Sequence, residues 1–155
     1  PDHLSTRLLD YLLDVDGVDR CALVAFATDE EGSPGVGLAR YSRSRDDPQC
    51  AEAAVTVLDA YQNRGIATVL LHRLAEEARQ HGISTFTATV MWENRALLDG
   101  LRAFGADVAP SEPGVASVRV ALPDPEVAVP ETEIHRALRL FAERVGEMIG
   151  LRFER

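Results

Sequence analysis

The amino-acid sequence predicts one mixed α/β domain with a central sheet and a C-terminal helical extension. Three observations support this fold class. Short apolar runs of strand length alternate along the chain with segments whose apolar residues recur at helical spacing. The chain has 155 residues, of which 46% are hydrophobic, and this is the size of one ordinary domain with its own core. No apolar run approaches the ~20 residues that a membrane-spanning helix needs, so we expect no membrane partner.

The first part of the chain is predicted to contain a helix, a hairpin and a central strand. Residues 4–15 repeat leucine at helical spacing. Two strands, Cys21–Thr28 and Val36–Ser42, are separated by a polar Gly/Pro turn, which predicts an antiparallel hairpin. Ala51–Leu58 carries apolar residues on both faces, a pattern typical of a strand in the middle of a sheet.

The second part is predicted to alternate helices and strands. Gly65–Gln80 has one apolar stripe and predicts a helix, and Ile83–Met91 predicts the next strand. Asn94–Phe104 is a second helix, ended by a glycine, and Ser117–Leu122 is expected to be the final strand. We therefore place one domain at residues 1–122. Residues 123–155 are expected to form a proline-containing linker and an amphipathic C-terminal helix over 131–149.

Charge and cysteine content narrow the possible partners. The formal net charge is -9, and an acidic chain repels a phosphate backbone, so no nucleic-acid partner is expected. All 16 basic residues are arginine, which excludes a lysine Schiff base or lysine nucleophile within this chain. Cys21 and Cys50 have no metal-binding spacing, and no leader pattern is present. We expect two buried thiols, no metal and a cytoplasmic location.

The segment Val55–Thr68 is predicted to run from a strand through a tight turn into a helix. The amides from Asn63 to Thr68 then lack helical partners and lie at the positive end of a helix dipole, which favours an anion such as pyrophosphate. Gly65 and Ala67 are small enough to let phosphate oxygens approach the backbone. Neither a P-loop nor a dinucleotide-binding motif is present. On these grounds alone, an ordinary strand–turn–helix corner with a packing glycine remains an open alternative.

The residues of this turn resemble a known family motif. Gln62–Ala67, with the sequence QNRGIA, resembles the Q/R-x-x-G-x-G/A motif of the GNAT acetyltransferases. The longer segment AEAAVTVLDAYQNRGIATVLLHRL, with VDGVDRCALVAFA and GVGLARYSR before it, is similar to the bacterial Pat-type protein lysine acetyltransferases. The resemblance covers roughly residues 14–122 well, and the whole block is more specific than the short motif alone.

The resemblance implies a splayed mixed sheet with helices on both faces and acetyl-CoA held in the gap of the sheet. No metal is implied. One group of implied cofactor residues pairs its backbone with the pantetheine arm, like an added strand. A second group holds the pyrophosphate, and one asparagine donates further along the cofactor. The residues that pair with the arm are Val55, Thr56 and Val57. Those that hold the pyrophosphate are Asn63, Arg64, Gly65, Ile66, Ala67 and Thr68, and the asparagine is Asn94.

Glu52 is the candidate general base. Alternation along the strand places it on one face with Ala54, Thr56 and Leu58, and a carboxylate in an apolar strand must be paired, solvated or used. Family members carry a glutamate at this position that takes the proton of the acceptor amine, often through water. The alternative is a strand-end glutamate paired with Arg40 or Arg43 on the neighbouring strand. The rival base, Asp59, lies in the turn, where acids commonly cap or solvate.

Two departures from the family pattern concern the general acid and the acceptor. Leu101 stands where many GNAT enzymes carry a tyrosine that protonates the leaving thiolate, and Pat-type relatives also lack that tyrosine. The first strand and helix of the usual fold are not found before residue 4, and they help to line the acceptor site. Trp92 could wall the cleft or pack in the core. We expect the histidines of the cofactor helix, His72 and His81, to be solvated.

Together these features predict an acetyl-CoA-dependent N-acetyltransferase that acts by direct attack of a primary amine. By resemblance the acceptor is a protein lysine, for example on an acyl-CoA synthetase. A small-molecule amine or amino acid is the first alternative. The second is a non-catalytic CoA-binding sensor domain, which would need no base at Glu52. A regulatory domain or a homodimer is a possible further partner.

Overall fold

The computed structural model describes residues 14–27, 35–103 and 105–122, together with the backbone of 151–154. Three predicted features therefore lie wholly or mostly outside the described residues. They are the helix at 4–15, the hairpin turn after the first strand, and the linker and helix at 123–149. In the part that the structure describes, the predicted order of strands and helices from residue 20 to residue 103 is confirmed.

The strands of the described chain form one mixed sheet. Its order is β5-β6-β4-β3-β2-β1-β7, and neighbours are antiparallel except for the parallel pair β3 and β4. The bounds are β1 Arg20–Ala27, β2 Gly35–Arg43, β3 Cys50–Val57, β4 Thr85–Met91, β5 Asp107–Pro110, β6 Val115–Ala121 and β7 Leu151–Glu154. The predicted central position of the third strand is confirmed.

Two described helices pack on the sheet. Helix α1, Ile66–Gln80, buries a stripe at helical spacing against β1, β2 and β3. The stripe consists of Ile66, Val69, Leu70, Leu74 and Ala78. Helix α2, Arg95–Ala103, buries Leu98 in a second cluster with Val90 of β4 and with β6. Phe86 packs with the α1 cluster, and Val90, four residues later on the same face of β4, packs with the α2 cluster. Both described helices therefore lie on one face of the sheet, and a helix on the other face, which the resemblance implies, is not among the described residues.

The sequence prediction missed two strands. β5 has four residues, ends in Pro110 and is mostly exposed, so it carries no apolar run that could mark it. β7 is equally short and pairs antiparallel with β1, which means that β6 is not the final strand. Its sequence, LRFE, alternates apolar and charged residues, but four residues are too few to display the period of a strand.

The core contains neutral side chains only among the described residues. Cys21 and Cys50 are buried and form no disulfide within the described residues, as expected. Tyr41 is the largest fully buried side chain, and its hydroxyl donates to the carbonyl oxygen of Val18 at 2.9 Å. Burial disfavours the phenolate and raises the pKa of Tyr41 to about 12.

Candidate active site

The site begins where the parallel strands β3 and β4 separate. Their register contains three pairs, and the last joins Glu52 to Thr87. Beyond that pair, β3 stays paired with β2 as far as Val57, and β4 stays paired with β6 as far as Met91. Both strands remain regular on their outer sides, so the gap between them is a divergence of the sheet and not a frayed end. The expected splayed sheet is thus present.

The divergence leaves one edge of β3 free for a ligand. From Ala53 to Val57, the backbone groups of β3 that face β4 have no strand partner in the described chain. An unpaired strand edge inside a sheet can accept an extended ligand as an added strand. The sequence assigned this role to Val55, Thr56 and Val57, and all three lie in the part of β3 beyond its last pair with β4.

The turn after β3 has an unusual backbone. A 3-10 turn at Asp59–Tyr61 follows the strand, and then Asn63 and Gly65 adopt left-handed conformations with φ of 59° and 82°. Only glycine takes such a conformation freely, although asparagine tolerates it better than most residues. Gly65 is the N-cap of α1. The motif glycine is therefore required by the backbone of the turn itself, whether or not a ligand is bound.

The start of α1 offers free amide groups. No side chain caps Gly65, and the Val69 amide donates to the Gly65 carbonyl at 3.1 Å. The amides of Asn63 to Thr68 come before this bond, and none of them donates to a described residue. The guanidinium of Arg64 lies 4.9 Å from the centre of the Tyr61 ring and adds positive charge. These groups fit the pyrophosphate of the implied cofactor.

A side chain that the sequence analysis did not single out holds this turn. Nε2 of Gln62 donates to the carbonyl oxygen of Val57 at 3.2 Å and to Oδ1 of Asp59 at 2.9 Å. Asp59 is therefore engaged within the turn, as its position predicted. Gln62 is the first residue of the QNRGIA motif, and the motif was the available signal for its importance.

Glu52 lies at the apex of the gap. It is exposed, it sits on the last pair between β3 and β4, and it lies on the face opposite α1, because its neighbours Ala51 and Ala53 are buried in the α1 cluster. Its carboxylate makes no hydrogen bond or ion pair with a described residue. This face is open along β3 at Glu52, Ala54 and Thr56, so the carboxylate is solvated and carries no burial cost.

The structural alternative for Glu52, an ion pair with Arg43 or Arg40, is not present in the described chain. The Arg43 guanidinium donates to Oδ1 of Asp19 at 2.7 Å and to the His81 carbonyl at 2.7 Å, so it is fully engaged elsewhere. Arg40 pairs in register with Ala54 and makes no salt bridge to Glu52 among the residues described. The glutamate is thus available to an incoming group.

Asn94 stands at the other side of the gap. It follows β4 and caps α2, since its Oδ1 accepts the Leu97 amide at 3.3 Å and its carbonyl accepts the Leu98 amide at 3.1 Å. The cap uses the oxygen of the side chain and leaves the NH₂ group free to donate. Because parallel strands end at the same edge of a sheet, Asn94 and the turn after β3 flank the same opening.

The remaining candidates are structural. Leu101 packs partly buried in the α2 cluster and has no proton to donate. Trp92 packs against the same cluster, with Arg102 over its ring at 6.0 Å, so the core alternative describes it better. Nδ1 of His72 lies 3.8 Å from Oε1 of Glu76 on the exposed face of α1. His81 is partly buried at the end of α1, and its Nδ1 contacts the Glu77 carbonyl at 2.9 Å.

The described residues contain neither a metal-binding cluster nor a membrane-spanning helix. No group of three or more histidine, cysteine, aspartate or glutamate side chains in this part of the chain could hold a metal ion. No described helix is both long enough and apolar enough to cross a membrane. Two large apolar side chains, Leu58 and Met91, are each 52% exposed and lie at the ends of the diverging strands, at the mouth of the gap.

Comparison with known proteins gives the family. The model of the GNAT acetyltransferase family matches residues 2–105. The chain is 32% identical over 132 residues to the acetyltransferase Pat of Mycolicibacterium smegmatis, a match that covers 85% of this chain and 39% of Pat. An acetyltransferase of Pseudomonas aeruginosa is 36% identical over 101 residues, and 54% of its length is covered. The chain thus spans about half or less of these curated relatives.

Solved structures agree. The GNAT domain of S. lividans PAT superposes with a TM-score of 0.67 at 30% identity, covering 77% of this chain and 70% of that domain. An acetyltransferase from Salmonella typhimurium, solved with its cofactor acetyl-CoA, gives a TM-score of 0.52 at 25% identity, with 66% of each chain covered.

Proposed function

Since the chain belongs to the GNAT acetyltransferase family, we propose that it transfers the acetyl group of acetyl-CoA to the side-chain amine of a protein lysine. Membership of this family makes the chain an acyl-CoA-dependent N-acetyltransferase. The lysine acceptor and the roles of individual residues are the proposed part. The acceptor is supported by the similarity to Pat of M. smegmatis and to the GNAT domain of S. lividans PAT.

One observation supports the cofactor site most strongly. The free edge of β3 runs directly into a turn whose amides are uncapped, so an extended ligand with an anionic group can meet both. Acetyl-CoA has this shape, with a pantetheine arm attached to a pyrophosphate, and it supplies an already activated acetyl thioester. We assign Val55, Thr56 and Val57 to the arm and Asn63 to Thr68 to the pyrophosphate. Asn94 would donate from the opposite side.

Glu52 is the proposed general base. A lysine side chain has a pKa of about 10.4, so near neutral pH its amine is protonated and cannot attack a carbonyl. Glu52 lies at the apex of the gap, is exposed, and makes no contact that would compete for its carboxylate in the described chain. It can therefore accept the amine proton, directly or through one water. The amides of β3 near Val57 can polarise the acetyl carbonyl, as a modest oxyanion site.

The test is turnover of acetyl-CoA against a panel of acceptors. We expect faster turnover with lysine-bearing proteins, such as acyl-CoA synthetases, than with small amines or free amino acids. Acetylation of the acceptor lysine should be visible by mass spectrometry. Equal or greater activity on small amines would refute the protein-lysine assignment and leave the N-acetyltransferase activity in place. Because the chain itself has no lysine, acetyl-lysine signals come from the acceptor alone.

A further inference from the structure

The side chain of Gln62 closes the loop between the end of β3 and the start of α1. Its Nε2 reaches back to the Val57 carbonyl at 3.2 Å and to the Asp59 carboxylate at 2.9 Å. A primary amide carries two N–H donors on that nitrogen, and each acceptor takes one. The main chain of Gln62 closes the same loop only by its bond to the Asp59 carbonyl at 3.3 Å.

These two hydrogen bonds are not required to satisfy a buried group. Gln62 is exposed, and water would serve its amide and the Asp59 carboxylate equally well. Holding a long side chain in one rotamer costs conformational entropy, which a bond to a carboxylate helps to offset. What the bonds change is geometry, because they fix the position of the last residue of β3 relative to the turn that follows.

The hydrogen bonds of the Gln62 side chain connect the two parts of the proposed cofactor site. Val57 is the last residue of β3 and lies on its free edge. Asn63 directly follows Gln62, has the left-handed φ of 59°, and begins the run of uncapped amides. The Gln62 side chain thus joins the strand edge to the amide turn across Asp59–Tyr61.

We propose that Gln62 is a positioning residue of the acetyl-CoA site. It fixes the spacing between the free edge of β3 and the amides from Asn63 to Thr68, so that one ligand meets both at once. This inference rests on the proposed function, and it goes beyond it by assigning a role to a side chain that acts through Val57 and Asp59. A ligand long enough to span both parts binds more tightly because the spacing is fixed, whereas the affinity of a ligand confined to one part is unaffected.

The test compares two thioesters that differ in this respect. Acetyl-CoA carries the pyrophosphate, whereas acetyl-pantetheine ends before it. Gln62→Met keeps the length of the side chain and removes both donors. We expect it to raise the dissociation constant of acetyl-CoA roughly 3- to 20-fold, the loss typical of one or two hydrogen bonds. The dissociation constant of acetyl-pantetheine should change by less than about twofold, because that ligand does not reach the turn.

Three further variants separate positioning from general damage. Gln62→Arg retains N–H donors for both acceptors and should stay within about threefold of the wild type for acetyl-CoA. Gln62→Glu removes the donors and places a second carboxylate beside Asp59, so its loss should exceed that of Gln62→Met. Gln80→Met is the matched control, since Gln80 is exposed at the other end of α1, and its affinities should not change.

Each outcome has a distinct meaning. If the wild-type chain does not bind acetyl-CoA in calorimetry, the proposed function fails and this inference falls with it. If the wild type binds and Gln62→Met keeps its affinity, only the positioning role is overturned. Equal losses for both thioesters, or no recovery in Gln62→Arg, would also overturn it, because they indicate unspecific damage. Gln62→Asn, too short to reach both acceptors, gives the same comparison should the methionine variant not fold.

Discussion

Gly37 of β2 lies directly beneath Leu70 of α1. A Cβ atom on Gly37 would come within 3.0 Å of Cδ1 of Leu70 and 3.2 Å of Cγ2 of Ile66, distances that require the helix side chains to move. Gly37 is also the register partner of Val57, the last residue on the free edge of β3. The absence of a side chain at residue 37 therefore allows the first turns of α1 to lie close to the sheet at the cofactor site.

Gly37→Ala should push the start of α1 away from the sheet. Overpacking of this kind costs about 1–3 kcal/mol, which we expect as a loss in the free energy of unfolding measured with denaturant. Acetyl-CoA binding should also weaken, because the amide turn moves with the helix. Gly35→Ala is the matched control on the same strand, where the new Cβ would meet Val24 at an ordinary 3.6 Å. Equal stability of the two variants would contradict the close approach of α1.

Gly65→Ala should impair both folding and cofactor binding. Its φ of 82° costs an L-residue about 1–2 kcal/mol, and the methyl group would crowd an incoming phosphate. Gly82→Ala provides the control, since Gly82 follows α1 with a φ of 78° and has nothing within 4 Å of its new Cβ. Both variants should lose similar unfolding free energy, and calorimetry should show weaker acetyl-CoA binding for Gly65→Ala alone. Unchanged affinity in Gly65→Trp would show that the phosphate site lies elsewhere.

Glu52→Gln should separate catalysis from cofactor binding. With the proton acceptor removed, we expect kcat to fall roughly 100-fold or more near neutral pH, while acetyl-CoA affinity is kept. Part of the loss should return at high pH, where free amine appears without a base. Steady-state rates from about pH 6 to 10 with an acceptor protein test this, and Glu76→Gln on the exposed face of α1 serves as the control. A kcat within about threefold of the wild type over that range would exclude Glu52 as the base.

Tyr41 should make the stability depend on pH in the alkaline range. Its folded pKa is raised to about 12, above the ordinary value of about 10 that applies to the unfolded chain. The stabilising contribution of the neutral phenol is thus complete below about pH 10 and is lost as the pH rises towards 12. Unfolding free energies between these pH values should fall in the wild type and fall less in Tyr41→Phe. The same slope in both proteins would show that Tyr41 is not the group responsible.

Much of the fold could be predicted because its elements carry complete patterns. The stripe of α1 and the apolar run of β3 each extend over enough residues to show their period. β5 and β7 could not be predicted, since four residues are too few to display alternation. The resemblance implied helices on both faces, and the two described helices share one face. The pattern of a single strand could not show this, because it does not say which element covers it.

The sequence predicted the part of the candidate site whose backbone geometry depends on residue type, which is the turn at the start of α1. Gly65 and the residues around it indicated a turn at a helix start, and the resemblance supplied the ligand. The hydrogen bonds of the Gln62 side chain were not predicted, because a side chain that bonds to the preceding strand does not change the hydrophobic periodicity of the sequence. Gly37 had an available signal, since a glycine inside a strand often indicates a close approach by another element.

The three residue pairs between β3 and β4 have a consequence for the energetics of the whole fold. Among the described strands, these three pairs join a four-stranded part of the sheet, β7-β1-β2-β3, to a three-stranded part, β4-β6-β5. A ligand that pairs with the free edge of β3 and is bonded by Asn94 would join the two parts across their seam. Substrate would then act as a structural component, adding about 2.7 kcal/mol of stability by mass action at a hundredfold excess over its dissociation constant. The midpoint temperature of unfolding would thus rise with the concentration of acetyl-CoA.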